Sequence, residues 1–169
     1  FRSQAPSAHG TDRPVIEIDD LHFGYSPRAE VLHGIQLTIR AGEFVALTGP
    51  NGAGKTTVAK HLNGLLRPTA GRVLICGRDV SGRPTWQLAG QVGYVFQNPD
   101  HQIFCRSVAD EVGFALRVAG RPQAEISART TAVLQFTGLT DLCEANPLTL
   151  TRGQRQLVAM ASTLIAEPE

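Results

Sequence analysis

The sequence has few cysteines and no long apolar run. Its 169 residues include three cysteines, Cys76, Cys105 and Cys143, which form no CxxC pair and no metal-ligand spacing. An odd number of scattered thiols does not fit a disulfide-stapled secreted domain and favours a reducing compartment. No apolar run approaches the roughly 18 residues that cross a bilayer, and residues 1–14 are polar, unlike a signal peptide. We therefore expect a cytoplasmic protein that reaches a membrane only through a partner.

The sequence also has little net charge and few lysines. The formal net charge is +1, which provides no electrostatic surface for nucleic acid or for an anionic membrane. We therefore expect no nucleic-acid partner. Of the 16 basic residues only Lys55 and Lys60 are lysines. We interpret the arginine excess as a coding bias, and it makes the position of Lys55 notable.

The hydrophobic pattern changes from strands to helices along the chain. Short apolar or alternating runs predict strands at 15–18, 35–39, 44–48, 73–76 and 92–96, with a turn at Ser26-Pro27. Helical spacing and capping residues predict helices from the Lys55 region to Pro68, from Ser107 to about Gly120, from Pro122 to Gly138, and from Arg152 to about Ala166. This order predicts an α/β protein with an appended helical piece.

One glycine-rich segment lies between a predicted buried strand and a predicted helix. Its residues match G-x-x-x-x-G-K-[ST] without a mismatch: Gly49, Pro50, Asn51, Gly52, Ala53, Gly54, Lys55 and Thr56. Such a loop turns backbone N–H groups toward phosphate oxygens. Lys55 can reach the β- and γ-phosphates, the Thr56 hydroxyl can ligate Mg²⁺, and Thr57 offers a second hydroxyl. The loop alone leaves kinases, GTPases, helicases and transporters open.

Three later features narrow the class. Leu150-Thr151-Arg152-Gly153-Gln154, about a hundred residues after the loop, resembles the LSGGQ signature of ATP-binding cassette proteins. Gln97 stands where that family has its Q-loop glutamine, and Tyr25 stands where it stacks an aromatic ring on adenine. Taken singly, Tyr25 fits a packing residue and Gln97 a polar strand end. In family order, the resemblance covers residues 15–169.

The resemblance implies a fold class: an α/β phosphate-loop NTPase core with an N-terminal antiparallel β subdomain and an inserted α-helical subdomain, truncated at its C-terminus. The corresponding division is a disordered tail at 1–14, a nucleotide-binding β subdomain and phosphate-loop core at 15–97, a helical subdomain at 98–150, and a signature helix at 151–169. The family's Mg²⁺-binding Asp, catalytic Glu and His loop come after this point. We therefore expect the fragment to bind nucleotide weakly if at all, to hydrolyse none, and to be less stable than the complete domain.

The resemblance also implies the ligands and their residues. ATP and Mg²⁺ bind between two head-to-tail cassettes, in a homo- or heterodimer. Lys55 and Gln97 then have catalytic roles, and Thr56 and Gln97 are metal ligands. The nucleotide is held by Tyr25, by the loop residues Gly49, Asn51, Gly52, Ala53, Gly54, Lys55, Thr56 and Thr57, and from the facing subunit by Thr151, Gly153 and Gln154. This chain departs from the signature at Thr151, which keeps the serine hydroxyl, and at Arg152, which is either a further cation at the site or a solvated helix-start residue.

The Q-loop sequence suggests a subfamily. Residues 96–104, Phe-Gln-Asn-Pro-Asp-His-Gln-Ile-Phe, and the acidic segment 108–112 resemble the energy-coupling-factor and cobalt-type importers. Such systems take up vitamins or transition-metal ions, and the resemblance implies a membrane coupling subunit docking near residues 98–120 at the cytoplasmic face of the membrane. The alternatives are another type of cassette importer or exporter, a cassette ATPase of translation or DNA repair, and a soluble phosphate-loop kinase in which residues 150–154 match by coincidence.

Overall fold

A computed structural model of the chain describes residues 13–26 and 29–168. It contains four strands and five α-helices within these residues: β1 (Pro14–Ser26), β2 (Ala29–Arg40), α1 (Lys55–Leu62), β3 (Ala70–Ile75), β4 (Arg78–Asp79), α2 (Thr85–Leu88), α3 (Val108–Val118), α4 (Gln123–Thr137) and α5 (Arg152–Leu164). Short 3₁₀ turns occupy Pro99–His101, Thr140–Leu142 and Pro147–Thr149. The chain divides into two compact units between Gln91 and Val92. Of the tail predicted at 1–14, residues 1–12 lie outside the described residues. Pro14 is the first residue of β1.

The first unit is built on an antiparallel sheet in the order β2-β1-β3-β4. Strand β1 lies between two partners, and Ile16 is opposite Ile39 on one side and Ile75 on the other. Leu21, Leu32 and Val73 are completely buried. These contacts confirm the predicted strands at 15–18, 35–39 and 73–76 and the antiparallel β subdomain. The predicted Ser26-Pro27 turn falls on the connection between β1 and β2, whose residues 27 and 28 lie outside the described residues.

Two predicted strands do not form. Residues 44–48 and 92–96 have no strand partner among the described residues. Phe44 is 99% exposed, although its apolar run predicted a buried strand. An apolar run makes burial favourable, but a strand exists only where a neighbouring strand accepts and donates its backbone hydrogen bonds. The prediction was therefore wrong about these two segments in the structure.

The second unit is helical, and local signals define its helix ends. The Ser107 side chain accepts a hydrogen bond from the Asp110 N–H at the start of α3. Gly138 follows α4 in the left-handed conformation, with φ of 70°. Buried side chains from α3, α4, α5 and the segments next to them form one core: Ile103, Val108, Val112, Leu116, Ile126, Leu134, Leu139, Val158, Ala161 and Ile165. The helices predicted after Ser107, after Pro122 and from Arg152 are confirmed.

Candidate functional site

The glycine-rich loop ends at the first residue of α1. Gly54 has φ of +83° and would place a Cβ atom 2.6 Å from Leu32 Cδ2. Positive φ favours glycine, and a Cβ atom here would force the fully buried Leu32 side chain to shift. Gly49 and Gly52 also have positive φ, at 149° and 84°. The alternation of left-handed glycines bends the backbone into a loop that leads directly into a helix N-terminus, where unpaired N–H groups and the helix dipole favour an anion.

The Lys55 side chain folds back over this loop. Its Nζ donates hydrogen bonds to the carbonyl oxygens of Gly49 and Pro50, at 2.9 and 2.8 Å. Two neutral carbonyls therefore hold the ammonium at the loop. A phosphate oxygen would make a stronger, charge-assisted partner for the same ammonium. The arrangement fits a phosphate group.

Two consecutive threonines have different environments at the start of α1. Thr56 is exposed, as a residue that contacts an external ligand should be. Thr57 is buried, and its Oγ1 lies 3.3 Å from the Tyr25 hydroxyl. The Tyr25 ring is 62% exposed and packs edge-on against Phe23, with ring centroids 4.9 Å apart. The structure thus places Tyr25 beside the helix that follows the loop, with ring surface available for stacking.

A buried histidine supports this end of α1. His61 Nδ1 donates to the Thr57 carbonyl at 2.7 Å, and its ring packs edge-on against Phe23. Burial lowers the pKa of His61, although the carbonyls of Thr57 and Arg67 act in the opposite direction. The neutral ring is therefore part of the packing behind Tyr25 and Thr57.

In the second unit, Gln97 begins the turn before α3. It is exposed and directly precedes Asn98, whose side chain accepts from the Asp100 N–H and caps the 3₁₀ turn Pro99–His101. Further along this segment, Glu111 Oε2 accepts the backbone N–H groups of Phe104 and Cys105 at 2.9 and 2.7 Å. The segment after Gln97 is therefore held in one conformation by side chains rather than by a strand.

The signature-like residues form the N-terminus of α5. Thr151 and Gln154 make a reciprocal capping box: Thr151 Oγ1 accepts from the Gln154 N–H at 3.3 Å, and Gln154 Oε1 accepts from the Thr151 N–H at 3.0 Å. The Thr151 hydroxyl also lies 3.0 Å from Gln154 Oε1. Arg152 and Gly153 are exposed, and a Cβ atom on Gly153 would meet no described atom within 4 Å. The packing of the described chain gives no reason for glycine here.

The sequence did not indicate the contacts of three residues that shape these segments. Arg155 in α5 donates to the Leu150 carbonyl, Gln102 lies against the Ala159 carbonyl of α5, and Glu111 is a buried carboxylate in α3. Gln102 and Glu111 lie in the segments that suggested the subfamily, but no local pattern identifies the tertiary partner of such a side chain. Glu111 had one available signal, because it stands among the apolar positions Val108, Val112 and Leu116 that line the core.

Thiol chemistry and metal binding by clustered side chains have little support among the described residues. The three cysteines are free, and burial together with the charge of Glu111 raises the pKa of the Cys105 thiol to about 11. The described residues contain no cluster of three or more His, Cys, Asp or Glu side chains able to hold a metal ion. Nor do they include a helix with the length and apolar character needed to span a bilayer.

The loop, its lysine and the following helix define a nucleotide-binding protein of the phosphate-loop class. Residues 32–169 match the ABC transporter family, and the chain belongs to that family. It is 40% identical over 159 residues to the energy-coupling factor transporter ATP-binding protein EcfA1 of Lactiplantibacillus plantarum, a match that covers 92% of this chain and 57% of the relative. It is 41% identical to the cobalt import ATP-binding protein CbiO of Syntrophus aciditrophicus, with 91% and 56% covered.

The solved structures agree. CbiO1 of Clostridium perfringens, described as part of the transporter complex CbiONQ, aligns with a TM-score of 0.83 at 34% identity and covers 93% of this chain and 63% of that one. These likenesses establish the mixed α/β fold of a cassette ATPase. The chain spans between 27% and 57% of the length of the first curated relatives that it matches.

Proposed function

We propose that this chain is the nucleotide-binding part of an ATP-hydrolysing subunit that powers an importer of the energy-coupling-factor class, for a vitamin or a transition-metal ion. The observation that supports it most directly is the Lys55 ammonium held over a loop of left-handed glycines at the start of α1. Family membership adds ATP as the nucleotide. The names of relatives in the energy-coupling-factor and cobalt systems support the class of importer.

In this proposal each residue has a stated task. The loop amides and Lys55 hold the β- and γ-phosphates, and Tyr25 provides a stacking surface for adenine. Mg²⁺ would supply charge neutralisation at the phosphates, and the family resemblance is the basis for proposing Thr56 and Gln97 as its protein ligands.

The α5 N-terminus suits a nucleotide on a second cassette subunit. The N–H groups at the start of α5 have no partner within their own helix, and the helix dipole favours an anion there. Glycine at residue 153 weakens the helix relative to alanine by roughly 0.5–1 kcal/mol. Since a Cβ there would meet nothing in the described chain, the small residue is best explained by close approach of another molecule. Arg152 adds a cation at the same exposed end.

A membrane subunit is the proposed second partner, docking near residues 98–120 so that the protein lies at the cytoplasmic face of the membrane. Phe104 and Phe114 are 64% and 38% exposed and pack edge-on, with centroids 4.7 Å apart. They line a groove of about 560 Å³ that also contains Arg106 and Arg117. Two exposed aromatic rings in one groove are typical anchors for a protein partner.

The nucleotide proposal is tested in the full-length protein with Lys55→Ala and with Lys60→Ala as its control, because Lys60 is the other lysine of the chain and lies on the same helix. Mg·ATP binding is measured by calorimetry. We expect Lys55→Ala to lower the affinity at least tenfold and Lys60→Ala to leave it within twofold. Undetectable Mg·ATP binding by the unsubstituted full-length protein would refute the proposal.

Two further tests separate the partner roles. Gly153→Ala should leave Mg·ATP binding intact and should not lower thermal stability, but it should reduce turnover, because the added methyl group meets only the second subunit. Phe104→Ala with Phe114→Ala should reduce co-purification of the membrane subunit. The matched control is Phe136→Ala on α4, since Phe136 is 83% exposed and lies outside residues 98–120. Equal loss of co-purification in the control would count against docking at the groove.

A further inference from the structure

The segment that follows Gln97 is fastened to α5 through Gln102. Gln102 Oε1 accepts the Phe96 N–H at 3.3 Å. Its Nε2 lies 3.1 Å from the Ala159 carbonyl oxygen and 3.2 Å from Thr163 Oγ1. One amide side chain therefore joins the backbone just before Gln97 to the middle of α5.

A second connection lies nearer the N-terminus of α5. Arg155 Nε is 2.9 Å from Asp100 Oδ1 in the 3₁₀ turn after Gln97. The same guanidinium donates through Nη1 to the Leu150 carbonyl oxygen at 2.8 Å. The Arg155 side chain is 21% exposed and that of Asp100 is 47% exposed, so water reaches the carboxylate side of this ion pair.

One planar guanidinium contacts both partners in different ways. Nη1 donates a hydrogen bond to the Leu150 carbonyl oxygen, whereas Nε meets Asp100 as a close ion pair without an aligned hydrogen bond. One partner, Asp100, lies three residues after Gln97, and its own N–H is held by the Asn98 side chain. The other, the Leu150 carbonyl, directly precedes Thr151, the cap of α5.

We propose that Arg155 is a positioning residue that ties the Gln97 segment to the signature segment Leu150–Gly153, with Gln102 as the second tie. The inference rests on the proposed function, in which Gln97 meets the nucleotide of its own subunit and residues 151–154 meet that of the facing subunit. A displacement at Gln97 then moves the signature segment with it, and Arg155 acts without touching either nucleotide.

The test uses the full-length ATPase assembled with its membrane subunit and the substitutions Asp100→Asn, Arg155→Lys and both together. Asp100→Asn removes the charge from one end of the tie. Lys keeps the positive charge but is a point donor on a flexible chain, so it cannot fix Asp100 and the Leu150 carbonyl together. The control is Arg121→Lys, because Arg121 forms an exposed ion pair with Glu125 in the same unit.

We expect each single substitution to lower kcat about fivefold, within the range by which coupling residues act, while KM for Mg·ATP stays within twofold. The double variant should be no slower than the slower single variant, because both changes break the same tie. Multiplying losses, a parallel rise in KM, or a kcat equal to that of Arg121→Lys would overturn the role of Arg155. If the role of Arg155 is overturned while the unsubstituted protein binds and hydrolyses Mg·ATP normally, the proposed function still holds. If the unsubstituted protein does not bind Mg·ATP, the proposed function itself is refuted.

Discussion

Replacing Glu111 with alanine tests how the segment after Gln97 keeps its conformation. Glu111 is 3% exposed, and a single carboxylate oxygen accepts two backbone N–H groups, from Phe104 and Cys105. These residues connect the Q-loop region to α3 and include one of the two exposed rings of the proposed docking groove. Removing the carboxylate leaves both N–H groups without their acceptor in a part-buried position.

The expected magnitude follows from these two contacts. A hydrogen bond to a charged group contributes about 1.5–3 kcal/mol. Because the two bonds share one oxygen, we use the lower end for each and expect a loss of about 3 kcal/mol in the local opening free energy. Glu111→Gln keeps an oxygen of similar shape but loses the charge, so about half of that loss is expected. Since about 1.4 kcal/mol corresponds to a factor of ten, alanine should speed exchange of the two amides roughly 100-fold.

The assay is hydrogen exchange measured by mass spectrometry on the full-length protein, read on peptides that include residues 104 and 105. Local exchange reports the opening of one segment rather than global unfolding. The matched control is Glu125→Ala on α4, because Glu125 is more exposed and pairs with Arg129 at 3.4 Å. The reasoning fails if Glu111→Ala leaves exchange at 104–105 unchanged, or if Glu125→Ala accelerates it equally.

Three further predictions concern a glycine, a thiol and a histidine. In urea denaturation, Gly54→Ala should lower the free energy of unfolding by more than Gly52→Ala. Alanine at either position costs roughly 1–2 kcal/mol for the left-handed backbone, but only at Gly54 would the Cβ atom also clash with Leu32. Equal losses would contradict this. Cys105, with its pKa raised to about 11 from 9.0, should react with iodoacetamide at pH 8 about 100-fold more slowly than an unperturbed thiol, since the thiolate is the nucleophile. Burial lowers the pKa of His61, so only the unfolded chain takes up this proton as the pH falls below about 6.5. Stability should therefore be full above that pH and should decrease as the pH falls toward the folded pKa. The pH dependence should be smaller in His61→Gln, and an unchanged slope would contradict the assignment.

The sequence predicted those features that short segments determine by themselves. Ser107, Gly138 and Thr151 end or begin helices through contacts within four residues, and the structure confirms each of these boundaries. The phosphate-loop motif is equally local, since its glycines and Lys55 all lie within residues 49–55. Such features need no knowledge of the rest of the chain, which is why the capping arguments gave the correct helix ends.

The failures involve partners far away in sequence. Residues 44–48 were predicted as a buried strand, but no described segment pairs with them. Asp100 and Arg155 are 55 positions apart in the sequence, and no periodic pattern predicts their 2.9 Å contact. Both cases depend on which segment lies alongside another, and a pattern of apolar and polar residues does not contain that information.

The two ends of the proposed site differ in what explains them. At the phosphate loop, contacts within the chain account for much of the sequence: Gly54 has positive φ and lies close to Leu32, and Thr57 meets Tyr25. At the start of α5, the capping box accounts for Thr151 and Gln154, but nothing described in the chain accounts for Gly153. Several other glycines also meet nothing within 4 Å, so the proposal that Gly153 makes room for another molecule rests on its position beside the capping box. Because no contact within the described chain explains glycine at residue 153, this position is where contact with the facing subunit should be tested.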